Sequence, residues 1–371
     1  MAQRAEINQY EFIDALRGIA ILLVVITHVA SITPPSLPVL RLIAANGAYG
    51  VQLFYVVSAL TLFLSTDQRS HLEKNPTRNF FIRRLFRIVP LFYLSVLAYT
   101  LVFGTGPNYW APNGLDWWHY ALTLLFLNGW HPEAINALVP LGWSIAIEMT
   151  FYPLIPFLYK KVKDAAGAIV LIVASLILQI VLVTVYKPFL MQYATGYIVQ
   201  AYFYLWFFAQ LPVFGLGILA YQILRNQPVQ NKSLGGALVF LFLFMFAAFL
   251  QTNTYMGFIP AHIFYGVAFI VLTLGLYFNP VKIFVNPFTK WIGKISYSLY
   301  LVHFIFLPYL HKWINFEMFG KTVQFTLYFI ILMVISSGIS YLTYRFVELP
   351  SMDLGKRLIR KLEGRVSATT S

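Results

Sequence analysis

The 371-residue chain is 59% hydrophobic and 18% aromatic but only 11% charged, with a mean hydropathy of +0.72. A water-exposed surface normally needs about a quarter charged residues, so this composition excludes an ordinary cytosolic enzyme, a disordered chain and a solvated nucleic-acid-binding domain, and leaves a polytopic membrane protein. The net charge of +13, from 26 Lys and Arg against 13 Asp and Glu, is a bias that topology, anionic lipid or an anionic ligand would each produce. The absence of cysteine removes disulfides, thiolate nucleophiles and cysteine-ligated metals.

Apolar runs of about 20 residues predict membrane-crossing helices, and ten are read in chain order: 12–31, 49–66, 88–104, 138–159, 166–186, 200–224, 234–250, 261–278, 291–311 and 322–345. The shorter segment 117–128 is read as non-spanning. With both termini cytoplasmic, this arrangement puts 22 of the 26 Lys and Arg on one side and leaves Arg41, Lys187, Lys312 and Lys321 on the other, as the positive-inside rule requires. A crossing at 117–128 would set the basic 67–87 loop against everything downstream. The expected fold is therefore an all-α membrane bundle of about ten helices, multi-pass in the inner (plasma) membrane. Residues 1–350 form the membrane domain and 351–371 a basic, partly disordered cytoplasmic tail. The first crossing carries Glu11, Asp14 and Arg17 and lacks a small-residue cleavage pattern, so it reads as a retained helix.

Ionisable groups inside apolar helices are costly and point to function. Arg17 and His28 stand eleven residues apart on the first crossing, which returns them to within about 20° of one direction and separates them by roughly 16 Å along the axis. One helix face thus offers a cation at its cytoplasmic end and, at its outer end, a group suited to proton abstraction near neutral pH. The bland alternatives are a snorkelling Arg17 paired with Asp14 and a packing hydrogen bond at His28. Glu148 lies deep in the fourth crossing with no cation within a turn or two. His28 on another helix is one candidate partner, and Trp143, Ser144 or Tyr152 nearby are the structural ones. Arg83, Arg84 and Arg87 open the third crossing. Arg84 and Arg87 share a face and suit a phosphate bidentately, although basic residues there also serve as topology signals. The seven histidines show no metal-ligand spacing, so no metal is expected. Tyr109, Trp110, Trp117, Trp118 and Trp130 read as an interfacial aromatic belt, with sugar stacking as the functional alternative.

The ordered set of motifs resembles acyltransferase family 3, the integral-membrane O-acyltransferases. EFIDALRGIAILLVVITH is similar to that family's opening helix, with its arginine, ten intervening residues and histidine at Arg17 and His28. GVQLFYVVSAL resembles its second-helix motif, with Ala59 where a glycine is usual. FIRRLFRIVPLFY matches its RxxR element at Arg84 and Arg87, and LGWSIAIEMTFYPL its Trp-Ser-Glu element at Trp143, Ser144, Glu148, Tyr152 and Pro153. WIGKISYSLYLVH matches a later element at Ser296, Tyr297, Tyr300 and His303, and YRFVELP the closing one at Glu348 and Pro350.

The resemblance implies an acyltransferase of the stand-alone type, without a fused extracytoplasmic domain. Its acyl group, commonly acetyl from acetyl-CoA or another acyl-CoA, goes to a hydroxyl of an extracytoplasmic glycan or lipid-linked glycan. On that reading Arg84, Arg87 and Arg17 hold the donor's phosphates and His28 is the general base, with Glu148 or Asp14 orienting it. Trp143, Ser144, Tyr152, Ser296, Tyr297 and His303 support the site. His28, Tyr297 or Ser296 as a transient acyl carrier is the competing mechanism. A transporter or lipid-linked glycan flippase is the alternative class, against which no two-fold internal similarity is visible. The expected partners are the acyl-CoA donor, the glycan or lipid-linked glycan acceptor and membrane lipids, with no nucleic acid.

Overall fold

A computed structural model describes residues 11–227, 231–250, 255–256, 259–314, 316 and 318–364. In chain order its helices are α1 (Glu11–Ile32), α2 (Pro38–Asn46), α3 (Gly50–Ser70), α4 (Pro76–Phe103), α5 (Trp117–Leu124), α6 (Gly142–Phe151), α7 (Ile155–Lys161), α8 (Ala165–Leu190), α9 (Gly196–Leu205), α10 (Phe207–Leu224), α11 (Lys232–Phe249), α12 (Ala261–Phe278), α13 (Pro287–Lys294), α14 (Ser296–Phe306), α15 (Leu310–Trp313), α16 (Lys321–Thr343) and α17 (Leu349–Leu362). A two-residue antiparallel pair, β1 (Tyr255–Met256) with β2 (Ile259–Pro260), sets Tyr255 opposite Pro260. The protein is an all-α, multi-pass membrane protein, as its composition predicts.

Eight helical stretches among the described residues are long and apolar enough to cross a membrane: Glu11–Ile32, Pro38–Ser70, Pro76–Phe103, Ala165–Leu190, Gly196–Leu224, Lys232–Phe249, Ala261–Phe278 and Lys321–Leu362. The remaining two expected crossings, 138–159 and 291–311, are interrupted helices. Pro153 lacks the N–H to continue α6, which tightens into a 3-10 turn over Tyr152–Leu154 before α7. Ile295, at φ −95° and ψ 7°, separates α13 from α14, and Pro308 lies in the 3-10 turn that follows. Both interruptions fall where site residues had been placed. The 117–128 segment yields only the eight-residue α5, too short to span.

The chain forms two compact units, one from 1–61, 162–185 and 208–337 and the other from 62–161, 186–207 and 338–371. In the first, α1 buries Leu16, Ala20, Ile21, Val24 and Val25, while α8 leaves Val170, Val173, Ile177 and Val181 exposed and α11 does the same with Phe240 and Phe244. In water such apolar surfaces would be a liability; against lipid tails they cost nothing. Helices in lipid associate through close backbone approach and polar contacts, and α1 and α13 show both. A Cβ on Gly18 would collide with the carbonyl of Thr289, and one on Gly293 with the carbonyl of Asp14.

In the second unit, α17 lies on α4. Pro90 leaves the Phe86 carbonyl without its helical donor, and the Ser351 hydroxyl supplies one at 2.6 Å. A Cβ on Gly355 would come 2.9 Å from the Phe86 Cβ. At the start of α4 the Glu363 carboxylate accepts from the backbone N–H groups of Lys74 (2.8 Å) and Asn75 (3.2 Å) and from Asn79 Nδ2 (2.9 Å). The tail read from the sequence as partly disordered is thus helical over Leu349–Leu362 and docked; residues 365–371 lie outside the described residues.

Candidate active site

The first unit carries Asp14, Arg17, His28, Ser296, Tyr297 and His303. Arg17 has the partner its spacing predicts: Nη1 lies 3.4 Å from Asp14 Oδ1, and Nη2 donates to Thr61 Oγ1 at 3.4 Å. Asp14 is the arginine's counter-ion here. Fourteen residues along α1, about 21 Å at 1.5 Å per residue, His28 finds a partner that neither carboxylate was expected to yield. Its Nδ1 lies 3.0 Å from His303 Nε2, and the rings stack with centroids 5.2 Å apart. Within this unit the ring contact of His28 is to a second histidine, whereas Asp14 is engaged by Arg17.

Hydrogen-bond chemistry sets the tautomers. His303 Nδ1 lies 2.8 Å from the Leu299 carbonyl oxygen, which can only accept, so Nδ1 carries the proton. In a neutral ring Nε2 then holds the lone pair, and it is His28 Nδ1 that donates to it. That leaves His28 Nε2 as the unprotonated nitrogen. The chain from Leu299 through the fully buried His303 to the half-buried His28 therefore presents a base in one tautomer, anchored on backbone.

Parallel helices α1 and α13–α14 bring the two rings together. Lys290 Nζ pairs with Glu11 Oε2 at 2.8 Å at one end; then come Gly18 and Gly293 in backbone contact. Each histidine lies ten residues beyond its glycine. Ser296 and Tyr300 are buried on α14 and Tyr297 is half-buried.

The second unit holds Arg84, Arg87, Trp143, Ser144, Glu148 and Tyr152. Three arginines on α4 divide by partner. Arg83 makes a bidentate pair with Glu73 at 2.6 and 3.3 Å, whereas Arg84 and Arg87 make no ion pair among the described residues. The Arg84 guanidinium lies over the rings of Phe80 (5.6 Å) and Tyr152 (5.9 Å), and its Nε is buried with no hydrogen-bond partner among the described residues. Tyr152 in turn donates to Glu148 Oε1 at 2.9 Å. The carboxylate thus stands behind the ring on which the arginine rests, one helical turn away at i, i+4. Tyr152 is among the structural partners weighed for Glu148.

Trp143 and Ser144 are buried and belong to the entry into α6. Leu141 sits at φ +70°, a left-handed conformation costing about 1–2 kcal/mol for a residue with a side chain. Asn136 Oδ1 accepts from its N–H at 2.6 Å and the Ser144 hydroxyl donates to its carbonyl at 3.1 Å, which holds the turn. Among the described residues no group of three or more His, Asp or Glu could hold a metal. Sequence reasoning missed Gly18, Gly293, Thr61, Ser351 and Glu363. Gly18 and Gly293 lie within motifs whose other residues carry the resemblance, and Pro90 implies an orphaned carbonyl without naming its donor.

The sequences of known proteins match this chain along most of its length. The O-acetyltransferase OatA of Staphylococcus aureus is 24% identical over 378 residues, covering 92% of this chain and 57% of its own length. A second staphylococcal protein, provisionally named an O-acetyltransferase, is 26% identical and covered to 56%. A protein of Acidianus two-tailed virus, provisionally named an acetyltransferase, is 27% identical over 306 residues, covering 79% of this chain and 82% of that protein. The chain thus spans little more than half the length of the two staphylococcal relatives. The profile of the family described as acyltransferase domain matches residues 10–345, a span that includes every residue of both constellations, and the chain belongs to that family: it is an integral-membrane acyltransferase of family 3.

Proposed function

We propose that this enzyme moves an acyl group, acetyl first among the candidates, from cytoplasmic acyl-CoA to a hydroxyl of an extracytoplasmic glycan or lipid-linked glycan. Both termini are then cytoplasmic and the membrane is the inner (plasma) membrane. The observation that carries the reading is the Leu299–His303–His28 relay, which leaves one imidazole nitrogen as a base in a water-poor environment. His28 Nε2 takes the proton of the acceptor hydroxyl as its oxygen attacks the thioester carbonyl. The tetrahedral intermediate collapses with loss of the coenzyme thiolate, which recovers that proton from the imidazolium. His303 accepts from His28 Nδ1 throughout, so it stabilises the cation without changing its own protonation. Arg84 and Arg87 take the donor's phosphates. The orphaned Nε of Arg84 and the lack of an ion pair at either residue among the described residues support this, because a guanidinium not engaged by a carboxylate suits a phosphate. Arg17, already shared between Asp14 and Thr61, is the secondary candidate. On the acceptor side Tyr109, Trp117 and Trp130 are exposed and offer faces on which sugar rings stack.

Rapid-quench labelling with radioactive acetyl-CoA in the absence of acceptor tests the direct transfer. The expected result is no protein-bound label; a label on His28, Tyr297 or Ser296 that chases into product would replace the general-base step with an acyl-enzyme.

A further inference from the structure

We propose that the groove between the π-helical turn at Tyr344–Glu348 and the first turns of α17 binds the headgroup phosphate of an anionic phospholipid. The groove, of about 480 Å³, is lined by Arg345, Leu349, Pro350, Asp353, Leu354 and Arg357. Neither arginine makes an ion pair among the described residues, while the Asp353 carboxylate already accepts from Lys356 Nζ at 2.9 Å. Two guanidiniums therefore line the groove without an ion pair among the described residues, beside one carboxylate that Lys356 engages and on which the charges of Arg357 and Arg360 also act. Phosphate is the oxyanion that such a pair fits.

The apolar half of the site commits the occupant to a lipid. α17 buries Ser351, Gly355 and Ile359 on its inner face, and turns Leu354, Leu358 and Leu362 outward together with Lys356, Arg357, Arg360 and Lys361. Phe346, 71% exposed, extends this apolar surface one turn back towards α16. α17 also continues directly from a helix apolar enough to cross the membrane. A basic amphipathic helix at that position lies at the level of the headgroups, with leucines entering the acyl region and cations meeting phosphates. A free phosphate ion would satisfy the arginines but leave Phe346, Leu354 and Leu358 in water. The inference stands independently of donor and acceptor, since it needs only the membrane.

The test uses the full-length protein in nanodiscs or detergent, with phosphatidylglycerol, phosphatidylcholine and inorganic phosphate as probes and native mass spectrometry and thermal stability as readouts. Wild type is expected to retain phosphatidylglycerol over phosphatidylcholine and to melt higher in its presence, with no such shift from inorganic phosphate. The double variant R345Q/R357Q should lower that preference about tenfold or more, at roughly 1 kcal/mol for each cation near a lipid surface, while melting normally in phosphatidylcholine. Asp353→Asn, which removes the groove's only negative charge, should move the preference the other way. Equal retention of both lipids by wild type, an unchanged preference in both variants, or full reproduction of the shift by inorganic phosphate would overturn the proposal.

Discussion

A histidine whose ring nitrogen meets another histidine's must be given a tautomer by something further out, and here the Leu299 carbonyl does so. That makes the roles of the two rings separable. His28→Ala should abolish transfer while leaving insertion and folding intact. His303→Ala, which removes the acceptor at His28 Nδ1 but not the proposed base, should lower kcat by roughly a hundredfold with little change in KM for the donor; steady-state assays in detergent check both. The arginines are separable in the same way. Arg84→Lys loses the planar fork over Phe80 and Tyr152 and should raise KM for acyl-CoA about tenfold, equivalent to about 1.4 kcal/mol of binding. Arg83→Lys, whose charge is already engaged by Glu73, should change that KM by less than about twofold. Loss of donor affinity in Arg83→Lys alone would reassign the phosphate site.

The elements meet through backbone, and this is where substitutions should act on stability more than on chemistry. Gly18 and Gly293 lie where a methyl group would strike a carbonyl of the opposite helix, so Gly293→Ala should force α13 away from α1, at about 1–3 kcal/mol for overpacking of this kind. It should lower the melting temperature and, because His303 follows on α14, kcat as well. On α4 the defects are electrostatic. Glu363 is held below the usual carboxylate range, first by the Lys74 N–H and then by the Asn79 amide, the Asn75 N–H and Arg78. A carboxyl whose folded pKa is depressed contributes its stabilisation fully above the unfolded value of about 4.3 and loses it as pH falls through the folded one. The melting temperature of wild type should therefore drop on acidification below about pH 4.5, and Glu363→Gln should lower it at neutral pH and flatten that acid dependence. A pH series of thermal melts on both proteins measures it.

For the whole molecule, the natural absence of cysteine makes topology directly measurable. A single cysteine at Gln68, exposed in the last turn of α3, should react with an impermeant maleimide only in inverted vesicles, and one at Asn113 only in intact cells. Labelling of both from the same side would remove the orientation on which the cytoplasmic donor rests. Composition, charge sidedness and apolar run length determined the membrane class, the helical architecture and the non-spanning α5, because lipid permits so few backbone solutions and each is long in sequence. The same low charge density made Arg17, His28, Arg84 and Glu148 legible as candidates, since any ionisable group in such a background is conspicuous. Their partners were not legible. Periodicity within one helix found Arg17 with Asp14 at i, i+3 and left Tyr152 as one of several neighbours of Glu148, yet it could not choose His303, 275 residues from His28. Nor could it see that Ser351 completes the Phe86 carbonyl or that Glu363 caps α4. Interruptions at Pro153 and Ile295 turned two smooth hydropathy peaks into broken helices. What residues prefer locally is written along the chain, whereas which buried polar group satisfies which other is decided only when helices are side by side, and that pairing selects which nitrogen of His28 is left unprotonated.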